Sequence, residues 1–243
     1  LNNAFCFDDN KNLIFGEYIS NNNRNKDINI YKYDINKNKI YVIYKFKKGK
    51  IRHIHGVYRD PFTGYYYVLT GDEKNECGIF YTKNNFKKLI NIGYGDESWR
   101  SVSLIFTKKY IYYAMDAEFI QNNIFSINKK TYERKKIRKI SGPVYYSTLF
   151  MGYPLFVVTA ELCPSQNDNK SKILLLKNDK IIKIKSFEKD LINYPLLKSL
   201  CTKLFLPGLF HLFKDSNQNI YFSGYSLKNA DNEVFVLKNW KYL

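Results

Sequence analysis

Tyr65-Tyr-Tyr-Val-Leu-Thr-Gly-Asp72 is a short apolar run that closes on a small residue and an acid. Its aromatic and β-branched residues suit a pleated strand buried on both faces. The same form recurs along the chain. Leu13-Ile-Phe-Gly-Glu-Tyr18 precedes it; Tyr110-Ile-Tyr-Tyr-Ala-Met-Asp-Ala117, Pro154-Leu-Phe-Val-Val-Thr-Ala-Glu161 and Ile220-Tyr-Phe-Ser-Gly-Tyr-Ser226 follow. The acids Glu17, Asp72, Asp116 and Glu161 are spaced 55, 44 and 45 residues apart.

The neighbourhood of each run repeats as well. A further strand pattern comes after each one: INIYKYD, CGIFYTKN, NNIFSINKK, KILLLKND and EVFVLKN. Four of these lead into a basic, apolar segment: KIYVIYKF, KKLINIG, RKKIRKI and IIKIKSF. Four strands per unit at a period of about 40–50 residues is the pattern of β-propeller blades. The expected fold is all-β, a single propeller domain over 1–243 with blades near 1–46, 51–93, 99–140, 143–188 and 204–243. The fifth unit stops where its fourth strand should start, at Trp240, so the chain reads as part of a six- or seven-bladed ring. A turn or two of helix is expected in the insert from Asp190 to Thr202.

Composition agrees with a strand-rich globular chain. Aromatic residues make up 17% of the 243, with 22 Tyr and 18 Phe. The formal charge of +17 comes from 39 Lys and Arg against 22 Asp and Glu. Most of the lysines lie in turns or alternate with apolar residues, as solvated strand faces do. No stacking series follows a continuous basic track, which argues against a nucleic-acid partner. No apolar run is long enough for a membrane-spanning helix. Cys6, Cys77, Cys163 and Cys201 form neither a CxxC pair nor a zinc-ligand spacing, and fit a reducing, cytoplasmic setting.

Propeller geometry brings the start of each first strand and the end of each second strand to one mouth of the channel. Arg52, His53, His55, Trp99, Arg100, Tyr145, Tyr146 and His211 occupy first-strand starts. Glu17, Asp72, Asp116 and Glu161 close second strands. His53 and His55 alternate along one strand, so both should face one side. Such a pair can move protons together or share a divalent metal, although no cofactor is required by the pattern. Arg52 and Arg100 suit a carboxylate, because guanidinium is a planar fork of donors. Each acid also has a plainer role, capping the turn after its strand.

The stretch Arg52-His-Ile-His-Gly-Val-Tyr-Arg-Asp-Pro-Phe-Thr-Gly64, with Thr70-Gly-Asp72 and Trp99-Arg-Ser-Val-Ser-Leu-Ile-Phe106, resembles bacterial BNR/sialidase-like propeller proteins of polysaccharide-related genes. The resemblance covers about half the chain and implies a glycan context. The sialidase Asp-box, Ser-x-Asp-x-Gly-x-x-Trp, is not kept: the corresponding turn is Tyr81-Thr-Lys-Asn-Asn-Phe-Lys-Lys88. Propeller polysaccharide lyases are similar in outline. Two functions follow as expectations. One is an enzyme, lyase or hydrolase, acting on an acidic polysaccharide: His53, His55 or His211 is the base, Tyr145 or Tyr146 the acid, and Arg52 and Arg100 neutralise the carboxylate. Glu17, Asp72, Trp99, Asp116 and Glu161 line the substrate. The other is a non-catalytic propeller that binds a glycan or a protein at the same mouth.

Overall fold

The computed structural model of the chain describes residues 4–83, 85–190 and 206–239. Strands dominate, and the helical content among the described residues is two 3-10 turns, Lys74–Glu76 and Glu97–Trp99. The first sheet contains β1 (Phe5–Phe7), β2 (Leu13–Gly16), β3 (Ile28–Asp34) and β4 (Lys39–Phe46). The second contains β5 (His53–Arg59), β6 (Tyr66–Gly71), β7 (Gly78–Thr82) and β8 (Ile90–Tyr94). The third contains β9 (Ile105–Phe106), β10 (Tyr110–Ala114), β11 (Asn123–Asn128) and β12 (Arg134–Lys139). The fourth contains β13 (Val144–Phe150), β14 (Tyr153–Val158), β15 (Lys170–Lys177) and β16 (Lys180–Glu188). The fifth contains β17 (Leu209–Lys214), β18 (Ile220–Tyr225) and β19 (Val234–Leu237).

In every sheet the spatial order follows the chain order, so each is an antiparallel meander. These are the five expected units. The expected helical turns after Asp190, and the fourth strand of the last unit at 240, lie outside the described residues.

Burial grades across each meander for a reason visible in the sequence. The second strand β6 is buried along its whole length, and β14 nearly so. The fourth strands β12 and β16 each bury a single residue, Ile137 and Phe187. Apart from Arg134, their Arg and Lys residues are exposed along a sheet edge, which protects that edge from pairing with another chain.

The chain divides into two compact units, Leu1–Ala117 with Phe125–Lys136, and Glu118–Ile124 with Ile137–Leu243. The first has two apolar cores. One gathers Ile14, Ile28, Ile30, Ile54, Val57 and Val68; the other gathers Tyr67, Leu69, Ile79, Ile111, Tyr113 and Met115. The second unit is built on Leu155, Val157, Phe187, Phe210, Leu212 and Phe222.

Turns between first and second strands reuse one device. In the first sheet Asp8 accepts hydrogen bonds from the backbone N–H and side-chain amide of Asn12, and Lys32 Nζ lies 2.6 Å from it. In the fifth, Asp215 accepts the same pair from Asn219, and a third from the Tyr221 hydroxyl. In the second sheet buried Asp60 caps Phe62 and Thr63, and pairs with buried Lys129 at 2.6 Å.

Candidate functional site

The first unit places a charged cluster at the start of β5 and the end of β6. Asp72 follows β6 with φ of +101°, a backbone conformation rarely adopted by residues other than Gly. Four nitrogen-bearing side chains converge on its carboxylate. Arg52 Nη1 donates to Oδ2 at 2.9 Å, and His53 Nε2 lies 3.2 Å from the same oxygen. His55 Nε2 faces Oδ1 at 3.1 Å, with Arg100 Nη2 at 3.4 Å. Arg100 Nε also lies 3.3 Å from Asp116 Oδ2. The structure therefore unites Arg52, His53, His55, Asp72, Arg100 and Asp116.

Local sequence explains how both imidazoles reach one carboxylate. Pairing of β5 with β6 slips between Ile54 and Gly56, which makes His55 a bulge residue. Bulges re-aim a side chain within a strand. Gly71 supplies room: a Cβ there would lie 2.8 Å from His55 Cε1 and 3.3 Å from Arg100 Cγ. The rings end 5.1 Å apart between centroids. The residues are only 3% and 2% exposed.

Each histidine is also held from its other nitrogen. His53 Nδ1 lies 3.4 Å from the Ile19 carbonyl, and His55 Nδ1 lies 3.1 Å from the Ser101 carbonyl. Burial pushes the His55 pKa down, and the Asp72 carboxylate beside it offsets only part of that shift. For Asp72 itself, burial opposes ionisation, but His53 and His55 outweigh it and hold the carboxyl far below the usual range.

Support comes from beneath. Glu76 accepts the Arg52 backbone N–H at 2.8 Å and Arg24 Nε at 2.5 Å, which fixes the entry to β5. Cys77 is buried, and burial raises its thiol pKa to about 12, so it carries no thiolate chemistry.

Tyr18 reaches the cluster beside Glu17. Its ring stacks on His53 at 4.0 Å between centroids while the residue stays 59% exposed. Burial of part of the ring, together with Asp72 and Asp116, raises the phenol pKa. Glu17 turns to the next strand, where it accepts from the Asn29 backbone and side chain and from the Tyr31 hydroxyl. Trp99 packs into the wall: it stacks with Tyr113, Arg134 lies over it at 3.7 Å, and any Cβ on Gly93 would meet it.

The second unit holds the other sequence-derived residues as two pairs. Tyr145 donates its hydroxyl to Glu161 Oε1 at 2.5 Å, and the Glu161 backbone N–H donates to Gln166. Tyr146 Oη lies 3.1 Å from His211 Nδ1. Tyr145 sits at a register slip between Val144 and Tyr146 in β13, so the first strand of this sheet bulges where that of the second sheet does.

Neither Tyr18 nor the backbone carbonyls of Ile19 and Ser101 stood out in the sequence as site groups. The signal for Tyr18 was its place next to Glu17 at a second-strand end. The carbonyls carried none, because any residue supplies one.

No protein-family model matches the sequence, and no curated protein matches it. Solved structures do. The WD40 β-propeller domain of Doa1 superposes with a TM-score of 0.53 at 13% identity, over 96% of this chain and 62% of that one. TolB from Acinetobacter baumannii gives 0.52 at 12% identity, over 95% and 55%. An oligogalacturonate lyase in complex with manganese gives 0.54 at 9% identity, over 89% and 55%. At these identities the likeness establishes the fold: the chain is built as a β-propeller. It spans between 55% and 62% of the length of these three structures. No helix among the described residues is long and apolar enough to cross a membrane.

Proposed function

We propose that the Asp72 cluster binds the carboxylate of an acidic saccharide, with Arg52 as the charged contact and Tyr18 as the sugar-stacking face. The observation that carries this reading is a pair of neighbours. The Arg52 side chain, 34% exposed, is anchored on Asp72, and Tyr18 presents an open ring against His53 beside it. A planar guanidinium forms two parallel hydrogen bonds with a carboxylate. An aromatic face beside it accepts the apolar side of a sugar ring. A solved propeller of similar fold is an oligogalacturonate lyase, which supports the fold as a scaffold for acidic-sugar sites.

Binding is favoured over base catalysis by the state of the two histidines. Both are buried, and both ring nitrogens of each already face an acceptor. A general base must reach the proton it removes. The test is calorimetric titration of the chain with oligogalacturonides and with their carboxyl-reduced counterparts, followed by ultraviolet absorbance for an unsaturated product. Saturable binding of the acidic set alone, with no new absorbance, is expected. Equal binding of both sets, or of neither, overturns the reading; growth of absorbance instead makes the site a lyase centre.

A further inference from the structure

The geometry points to a divalent transition-metal site formed by His53 Nε2, His55 Nε2 and the carboxylate of Asp72. These donor atoms all lie within 4.8 Å of one another. His53 Nε2 lies 3.2 Å from Asp72 Oδ2 and His55 Nε2 lies 3.1 Å from Oδ1, the spacing of neighbouring ligand atoms in a coordination polyhedron. Bonds of about 2.1 Å to nitrogen and oxygen give edges of roughly 3.0–3.4 Å.

The hydrogen-bond inventory supplies the independent argument. Four acceptor atoms face the two rings: the carbonyls of Ile19 and Ser101 at the Nδ1 positions, and the two Asp72 oxygens at the Nε2 positions. Two neutral imidazoles own one N–H each. Placing those protons on Nδ1 satisfies both carbonyls and turns two Nε2 lone pairs toward a carboxylate. A cation between those lone pairs and the carboxylate would satisfy them all. His53 Nε2 carries that strain openly. It is buried, lies 3.2 Å from Asp72 Oδ2, and makes no hydrogen bond.

An imidazole held through Nδ1–H on a backbone carbonyl, with Nε2 bare, is the state in which histidine ligates metals. Asp72 has room for an ion. A carboxylate has about four lone-pair positions, and the guanidiniums of Arg52 and Arg100 take one on each oxygen. Two histidines and one carboxylate on one side of an ion leave its other positions open. Hydroxide or an anionic ligand there would offset the ion's charge. The donor set of nitrogen and oxygen selects first-row ions such as Zn²⁺ or Mn²⁺ over Ca²⁺.

The test uses Zn²⁺ alone on untagged, chelator-treated protein and contains no saccharide, so its outcome is independent of the saccharide reading. Equilibrium titration should show one Zn²⁺ bound tightly per chain, with affinity at least tenfold lower in His53→Gln and in His55→Gln. Uptake that the double variant retains, or no tight uptake by the wild-type chain, overturns the site. Should the variants unfold, the wild-type chain decides the question by itself through nitrogen NMR. The sequence holds three histidines. Zn²⁺ should shift the Nε2 signals of His53 and His55 and leave His211 unmoved. Any other pattern overturns the assignment.

Discussion

Replacing Asp72 by Asn removes one charge and keeps the shape. The substitution isolates the carboxylate, because Asn tolerates the +101° φ at this position as readily as Asp does. In the native cluster the two oxygens meet Arg52 and His53 on one side and His55 and Arg100 on the other. An amide offers one oxygen and one NH₂, so one side always meets donors with donors. Breaking a buried ion pair by removing one partner costs about 3–5 kcal/mol. Two features lower that figure here. Arg52 is 34% exposed on its side chain and can turn to water, and Arg100 keeps Asp116 at 3.3 Å. A loss of about 2–3 kcal/mol remains. With an m-value of about 2–3 kcal/mol per molar urea, the unfolding midpoint should fall by about 1 M. Urea melts of the two proteins, followed by tryptophan fluorescence and circular dichroism, measure it. A midpoint within about 0.2 M of wild type would place these groups with ordinary solvated surface pairs, and the reasoning would fail.

Other outcomes follow from the same geometry. Gly71→Ala drives a methyl against His55 Cε1 at 2.8 Å and should cost about 1–3 kcal/mol, read from the same urea midpoint; an unchanged midpoint would mean the His55 ring is not held against the strand. Trp99→Ala removes the ring stacked on Tyr113 and covered by Arg134 and should cost about 3 kcal/mol, because the side chain is partly buried; a loss near zero in the same melts would contradict its place in the wall. Asp8 supplies the pH test. Burial opposes its ionisation, but Lys32 and the Asn12 donors outweigh it and lower its pKa to about 2 from 3.8. A depressed folded-state pKa gives stability that is full above the unfolded value and lost as pH falls through the folded one. The stability gap between wild type and Asp8→Asn should therefore hold above about pH 4 and close towards pH 2; a gap that does not change over this window would refute it.

Much of the fold is legible in the sequence because buried second strands are written as apolar runs with a closing acid. The strands from Tyr66 to Gly71 and from Tyr153 to Val158 lie where those runs stand. The first strand of the third sheet is less legible. Residues from Trp99 onward look strand-like, yet the strand is only Ile105–Phe106. Asp96 caps a 3-10 turn by accepting the Ser98 N–H at 2.6 Å, and the chain reaches the sheet late. A local side-chain cap of this kind overrides propensity and leaves little trace in hydrophobic pattern.

The candidate site was legible in its ionisable groups and not in its arrangement. Alternation alone puts His53 and His55 on one side. The bulge at His55 breaks that alternation, and the rings still converge on one carboxylate, because Gly71 leaves the space. Arg52 precedes the strand, so strand alternation does not govern it; it too reaches Asp72. Glu17 and Tyr18 are adjacent in sequence, but Glu17 satisfies the next strand and Tyr18 covers His53. Which of two neighbours points inward depends on the loop after β2, and no periodic rule describes a loop.

The central claim is that Arg52 recognises a carboxylate on a sugar. A thermodynamic cycle tests it most directly, with wild type and Arg52→Gln each titrated with an oligogalacturonide and with its carboxyl-reduced form. The account predicts that the substitution weakens binding of the acidic ligand at least tenfold and leaves the reduced ligand's weak binding unchanged. An equal loss for both ligands, or no loss for either, would contradict it.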